Sequence, residues 1–182
     1  MMAKIALSPT ESAYVQAMGA ITVENEKRFG NAAIEAWSCV PEGARRAIHT
    51  HYSDIPMGTC PTISIRPPVG NQWCLAQANA YGMMFWMNSM VAFKMPGGDT
   101  WLKLIIVHEL AHCFLIATEH PSHDEQGTQD WKTWNDGMEN AADAVLLEWK
   151  VDTSDCAAVI RWFKADAIAR GATIISSRVA AT

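Results

Sequence analysis

Three ionisable side chains sit close together in an apolar run: His108, Glu109 and His112, in the order His108-Glu109-Leu110-Ala111-His112. On a helix, positions four apart share a face, so the two imidazoles stack one above the other. Each can then turn a ring nitrogen toward one ion at about 2.0–2.1 Å, the usual zinc–nitrogen distance. Glu109 is rotated by about 100° from His108. It is therefore badly placed as a third ligand and well placed to reach a water on the open side of a metal. Zinc acidifies such a water, and a neighbouring carboxylate takes its proton as it attacks a carbonyl. The spacing H-E-x-x-H serves that chemistry. A chance occurrence is the competing explanation, but the flanks are Leu102, Leu104, Ile105, Ile106, Val107, Phe114, Leu115 and Ile116. Burying three polar groups among them without partners costs several kcal/mol, and one metal ion, expected to be Zn2+, supplies the partner.

A catalytic zinc takes a third protein ligand. Glu139 and Asp143 are four apart in a predicted helix and so share a face. One can bind metal while the other accepts the free N–H of a ligand histidine. The plain alternative is an acidic helix start favoured by the macrodipole. Asp130, His120 and His123 are the other candidate ligands. His49 and His51 are expected at the surface, since they do not share a helical face. The five cysteines (39, 60, 74, 113 and 156) contain no CxxC pair, which argues against thiolate zinc. Cys113 and Cys156 are predicted inside helices as small buried hydrophobes. Cys39, Cys60 and Cys74 could pair only in an oxidising compartment.

Position 118, where a metzincin carries a third histidine, is Thr118. The segment Glu139-Asn140-Ala141-Ala142-Asp143 instead resembles the E-x-x-A-D helix of glutamate-zincins (gluzincins), above all the CAAX-prenyl-protease and heat-shock-peptidase branch and small anti-repressor-type zinc peptidases. That resemblance implies a zinc metallopeptidase in which His108, His112 and Glu139 hold zinc, Glu109 is the general base and Asp143 orients a ligand histidine. Asn79-Ala80-Tyr81 is similar to the N-A-aromatic segment that these families place on an edge strand. By that resemblance Asn79, Ala80 and Tyr81 would bind the substrate, with strand addition as the mechanical expectation. The resemblance spans roughly residues 79–146. The chain departs from it in having no histidine after His123. A charge-stabilising role at the reacting oxygen is open to Tyr81, His120, His123 or Arg161. Gly127-Thr128-Gln129-Asp130 is similar to the start of the aspzincin signature, but Thr133 and Trp134 break it. An effector or toxin protease with Asp130 as ligand, and a zinc-site regulatory module without catalysis, are the rival readings.

The elements that must position these residues can be sketched from punctuation and periodicity. Ser8-Pro9-Thr10-Glu11 predicts a capped helix start, with helix to Phe29, a break at Gly30-Asn31 and helix again over Ala32–Trp37. A short helix is expected over Glu42–His49. Residues 54–72 carry four prolines and two glycines around an alternating strand, Thr62–Arg66. From Trp73 to Phe93 two strands are expected, turning near Tyr81-Gly82. The run Met83–Met87 reads as core, or as an apolar specificity pocket. A helix over Trp101–Ala117, capped by Asp99 or Thr100, carries the histidines. A polar loop, Thr118–Asn135, leads to a helix over Gly137–Lys150. A last helix, Ser154–Arg170, stops at Gly171, and the chain beyond Ala172 is strand or frayed. The expected fold is α+β, zincin-like: a small mixed sheet, an active-site helix, a following glutamate helix, and extra helices at both ends.

The chain has 182 residues, the length of one domain, with residues 1–53 helical, 54–98 forming the sheet and 99–171 the remaining helices. A formal charge of −5 without any basic stripe argues against nucleic acid as partner. No segment is expected to approach the roughly 20 apolar residues of a bilayer span. The stretch Met1–Leu7 is too weakly apolar for a signal-peptide core. The expected location is cytoplasmic, with secretion by a route that needs no recognisable signal as the alternative. The expected partner is a peptide or protein substrate; its sequence and the oligomeric state are not legible.

Overall fold

A computed structural model of the chain describes residues 23–52, 63–66, 68, 72–78, 85–119 and 131–174. Its centre is α3 (Gly98–Glu119), a helix apolar nearly all round. Leu102, Ile106, Val107, Leu110, Ala111 and Cys113 have no exposed surface, as expected of a helix covered on every side. Among the described residues it is the one helix long and apolar enough to cross a membrane, contrary to the expectation that no segment approaches that. Its apolar residues are instead covered by protein: α1 (Val23–Cys39), α2 (Glu42–His51), α4 (Trp131–Glu148) and the strand β3 (Ala76–Ala78) pack against it.

Helix α1 runs unbroken through Gly30-Asn31, where a break was expected. Phe29, Ala32, Ala33, Ala36, Trp37 and Val40 form one buried stripe at helical spacing. Burying that stripe outweighs the roughly 1 kcal/mol that a helical glycine costs. Arg28 on α1 holds Asp99 with two guanidinium nitrogens, at 3.0 and 2.6 Å. Asp99 therefore lies in the first turn of α3 as an ion-pair partner rather than as its cap. Pro41 precedes α2 in an extended conformation. His49, expected at the surface, is buried with its ring edge-on to Trp37.

Strands β1 (Ile63–Arg66), β2 (Gln72–Trp73), β3 (Ala76–Ala78) and β4 (Phe85–Asn88) follow. A three-stranded mixed sheet has the order β1-β4-β3, with β1 parallel and β3 antiparallel to β4. Ala78 pairs with Phe85 and Ala76 with Met87, the hairpin expected around position 82. Met87 of the Met83–Met87 run is fully buried core. The extended stretch ends at Asn88, not Phe93, because Asn88 turns the chain. Its side-chain oxygen accepts from the Met90 N–H at 2.9 Å, and its amide donates to the Cys74 carbonyl at 3.2 Å. Such self-directed bonding is why asparagine ends strands.

Helix α4 begins at Trp131, six residues before the expected start, so part of the expected loop is helix. It ends on Lys150 in the left-handed region, with Val151 N–H bonded to the Leu146 carbonyl and Lys150 N–H to that of Leu147. Helix α5 (Cys156–Ala169) stops on Gly171, as expected, with the same double bonding from Ala172 and Gly171. Strand β5 (Thr173–Ile174) then pairs parallel with β2. Five helices and two small sheets among the described residues make the fold α+β.

Candidate metal centre

The site is built where α4 crosses α3. On α4, Met138, Ala141, Ala142, Val145 and Leu146 belong to the core, which leaves Glu139 and Asp143 at the border of that buried face. On α3 the neighbours Val107, Leu110 and Ala111 are sealed in the core, so helix geometry turns His108 and His112 toward α4. The rings of His108 and His112 meet edge to face, with centroids 4.8 Å apart.

Three donor atoms converge. His108 Nε2 lies 3.1 Å from His112 Nε2 and 3.1 Å from Glu139 Oε2, and His112 Nε2 lies 3.6 Å from Glu139 Oε1. Ligands around a tetrahedral zinc with bonds of about 2.0–2.1 Å stand roughly 3.3 Å from one another, so the triangle has the size of one tetrahedral face. Proton counting points the same way. A single N–H on His108 Nε2 cannot serve both His112 and Glu139. The other ring nitrogen, Nδ1, faces Asp143 Oδ1 at 3.6 Å, which favours its proton there and leaves a lone pair at Nε2. Burial pushes the Glu139 carboxyl up, but the hydrogen bonds and charge of His108 and His112 outweigh it and hold the group well below the usual carboxylate range. The centre of the triangle thus rewards positive charge. Among the described residues, His108, His112 and Glu139 are the group able to hold a metal ion.

Glu109 stands beside this triangle, on the side of the sheet. It is buried, and the backbone N–H of Ala78 on β3 donates to its carboxylate. Burial raises its pKa from 4.5 to about 7, the charge of Glu139 adds to the rise, and His112 and the Ala78 N–H oppose it. Two thiols lie near enough to feel its charge. Burial first, and Glu109 second, push the Cys74 thiol up to about 12 and the Cys113 thiol higher still.

His108, Glu109 and Glu139 open onto a cleft of about 650 Å³, part of it open to solvent. Its walls come from α3, β3, α5 and β5, with Leu104, Ile105, Ile160 and Phe163 among them. Trp101 fastens the far end, donating to Asp155 at 3.1 Å and meeting Trp162 edge-on.

The structure brings together His108, Glu109, His112, Glu139 and Asp143. Asn79, Ala80, Tyr81, His120, His123 and Asp130 lie outside the described residues. Strand β3, the edge of its sheet, ends at Ala78, directly before Asn79. Thr118 spends its hydroxyl on the Phe114 carbonyl at 2.8 Å. Arg161, named as a candidate for the reacting oxygen, is exposed, and the cation lining the cleft is Lys164. Helical spacing held the signal: Lys164 is four residues beyond Ile160 and adjoins Phe163, on the stripe that lines the cleft, whereas Arg161 is off it. Comparison with protein-family models, with curated proteins and with solved structures gave no match.

Proposed function

We propose that this chain is a zinc-dependent metallopeptidase of the zincin type, with a glutamate as third ligand. The observation that carries the reading is the convergence of His108 Nε2, His112 Nε2 and the Glu139 carboxylate into a triangle of ligand dimensions. These three residues would hold one zinc ion, and Asp143 would fix the His108 ring through Nδ1. Zinc, when bound, supplies an electrophile for a carbonyl oxygen and acidifies a water. The chain's own contribution to proton movement is Glu109. Its carboxyl is displaced upward by burial to about 7, a range in which a group can both take and return a proton near neutrality. The Ala78 N–H keeps that carboxyl aimed beside the ligands. The apolar walls exclude bulk water and seat an apolar side chain of the peptide.

Zinc content and peptide hydrolysis in three variants test this reading. Glu109→Gln is expected to bind zinc and to lose cleavage by at least about a hundredfold, the scale of a lost general base. Glu139→Ala is expected to lose zinc, and Asp130→Ala to keep it. Full zinc occupancy in Glu139→Ala together with loss in Asp130→Ala would move the third ligand to Asp130. Undiminished proteolysis in Glu109→Gln would remove the assigned mechanism.

A further inference from the structure

The cleft beside the proposed metal centre carries four ionisable groups from its apolar walls and reactive end that matter for charge: His108, Glu109, Glu139 and Lys164. The first three belong to the reactive end. Lys164 stands apart from them on α5, on the stripe shared with Ile160 and Phe163. It is half-buried, and among the described residues no carboxylate forms an ion pair with it. Three arginines on the described helices are held by carboxylates, Arg28 by Asp99, Arg46 by Glu42 and Arg170 by Asp166. What sets Lys164 apart from the other unpaired cations is its place in the cleft wall. A lysine can lay its stem along apolar surface with its ammonium at the rim. Lys164 is the one lysine or arginine among the residues lining the cleft, and its ammonium is a group with which an incoming anion can pair.

We infer that Lys164 is a specificity-determining residue that pairs with a carboxylate of the substrate, while an apolar side chain of the same substrate fills the cleft between α3 and α5. The assignment of a peptide rests on the function proposed above; the pairing of Lys164 with a carboxylate does not. The carboxylate has two sources, a free C-terminus or an acidic side chain next to the apolar residue. Both present the same anion at the cleft rim. The chain's formal charge of −5 disfavours an acidic substrate, and a cation at the cleft rim offsets that locally.

Three probes separate these cases by binding to the metal-free protein, followed by calorimetry or NMR titration. They are N-acetylphenylalanine, N-acetylphenylalanine amide, and N-acetylphenylalanyl-glutamic acid α-amide. Wild type is expected to bind at least one acidic probe about tenfold or more tighter than the neutral amide, the scale of a charge-assisted hydrogen bond. Preference for the first acid identifies a C-terminal carboxylate, and preference for the second an acidic side chain. The preference is expected to vanish in Lys164→Met and to persist in Lys164→Arg. Equal binding of acids and amide to wild type, no binding of any probe, or a preference that survives Lys164→Met would overturn the inference. Because nothing is hydrolysed, a carboxylate preference without peptidase activity would sink the proposed function and leave Lys164 assigned. Peptidase activity without the preference would do the reverse.

Discussion

Glu109 is the residue on which the proposed chemistry turns, and its protonation couples to stability with a definite sign. Its pKa is higher in the fold, about 7, than its ordinary 4.5, because burial penalises the anion. The stabilising neutral form is fully present below about pH 4.5 and is lost as pH rises through 7. Metal-free wild type should therefore lose stability between pH 4.5 and 7, on the order of 3 kcal/mol at most from this group. Denaturant titrations across that window should show the slope flattened in Glu109→Gln. Glu139 acts in the opposite sense and lower down: its depressed pKa contributes stability above the ordinary carboxylate range that is lost as pH falls. In the proposed centre Asp143 would act on the metal through the His108 ring. Asp143→Asn should weaken zinc binding about 10- to 100-fold, the usual cost of losing a carboxylate behind a ligand histidine, measured by competition with a chelator. Legibility at this scale followed locality. His108, Glu109 and His112 were readable because five consecutive positions of one helix contain them. Glu139 was readable only through its spacing to Asp143 and a family resemblance. Lys164 escaped notice because a lysine on an amphipathic helix means nothing until the helix's partner is known.

Helices were legible where period and punctuation agreed and misjudged where they conflicted. Gly30-Asn31 looked like a stop, yet the stripe from Phe29 to Val40 is continuous and buried. Tertiary burial won over local propensity. A methyl group at Gly30 would meet nothing within 4 Å, so Gly30→Ala should raise stability by about 0.5–1 kcal/mol in thermal unfolding. Unchanged or lowered stability would mean that α1 bends at that residue in solution. The early start of α4 was hidden because Lys132, Thr133, Asn135 and Asp136 are all polar, and polarity reads as loop. Gly171, by contrast, was read correctly because a left-handed stop has a local cause. Asn88 shows the limit of alternation: its neighbours look extended through Phe93, but one side-chain amide redirects the backbone.

Across the whole molecule, the thiols report how tightly the core is closed. Cys74 and Cys113 are buried, and the fold pushes both thiols upward. Cys39 and Cys156 are half-buried. Alkylation at pH 8 in native buffer should modify Cys39 and Cys156 well before Cys74 and Cys113, which should react only on unfolding. Peptide mapping after timed labelling checks this, and early modification of Cys113 would show that the core behind α3 opens readily. The α+β class was legible from the order of segments. The pairing of β2 with β5 was not, since two residues carry no pattern of their own.

That pairing has a consequence in time. Gln72 meets Thr173 across 101 residues, while His108 meets Glu139 across 31. A growing chain carries all three proposed ligands once α4 has been made. It gains the cleft wall only when α5 and β5 follow. The shorter loop also costs less entropy to close. Under the proposed function, a nascent chain therefore gains its metal ligands before it gains the wall that would seat a substrate.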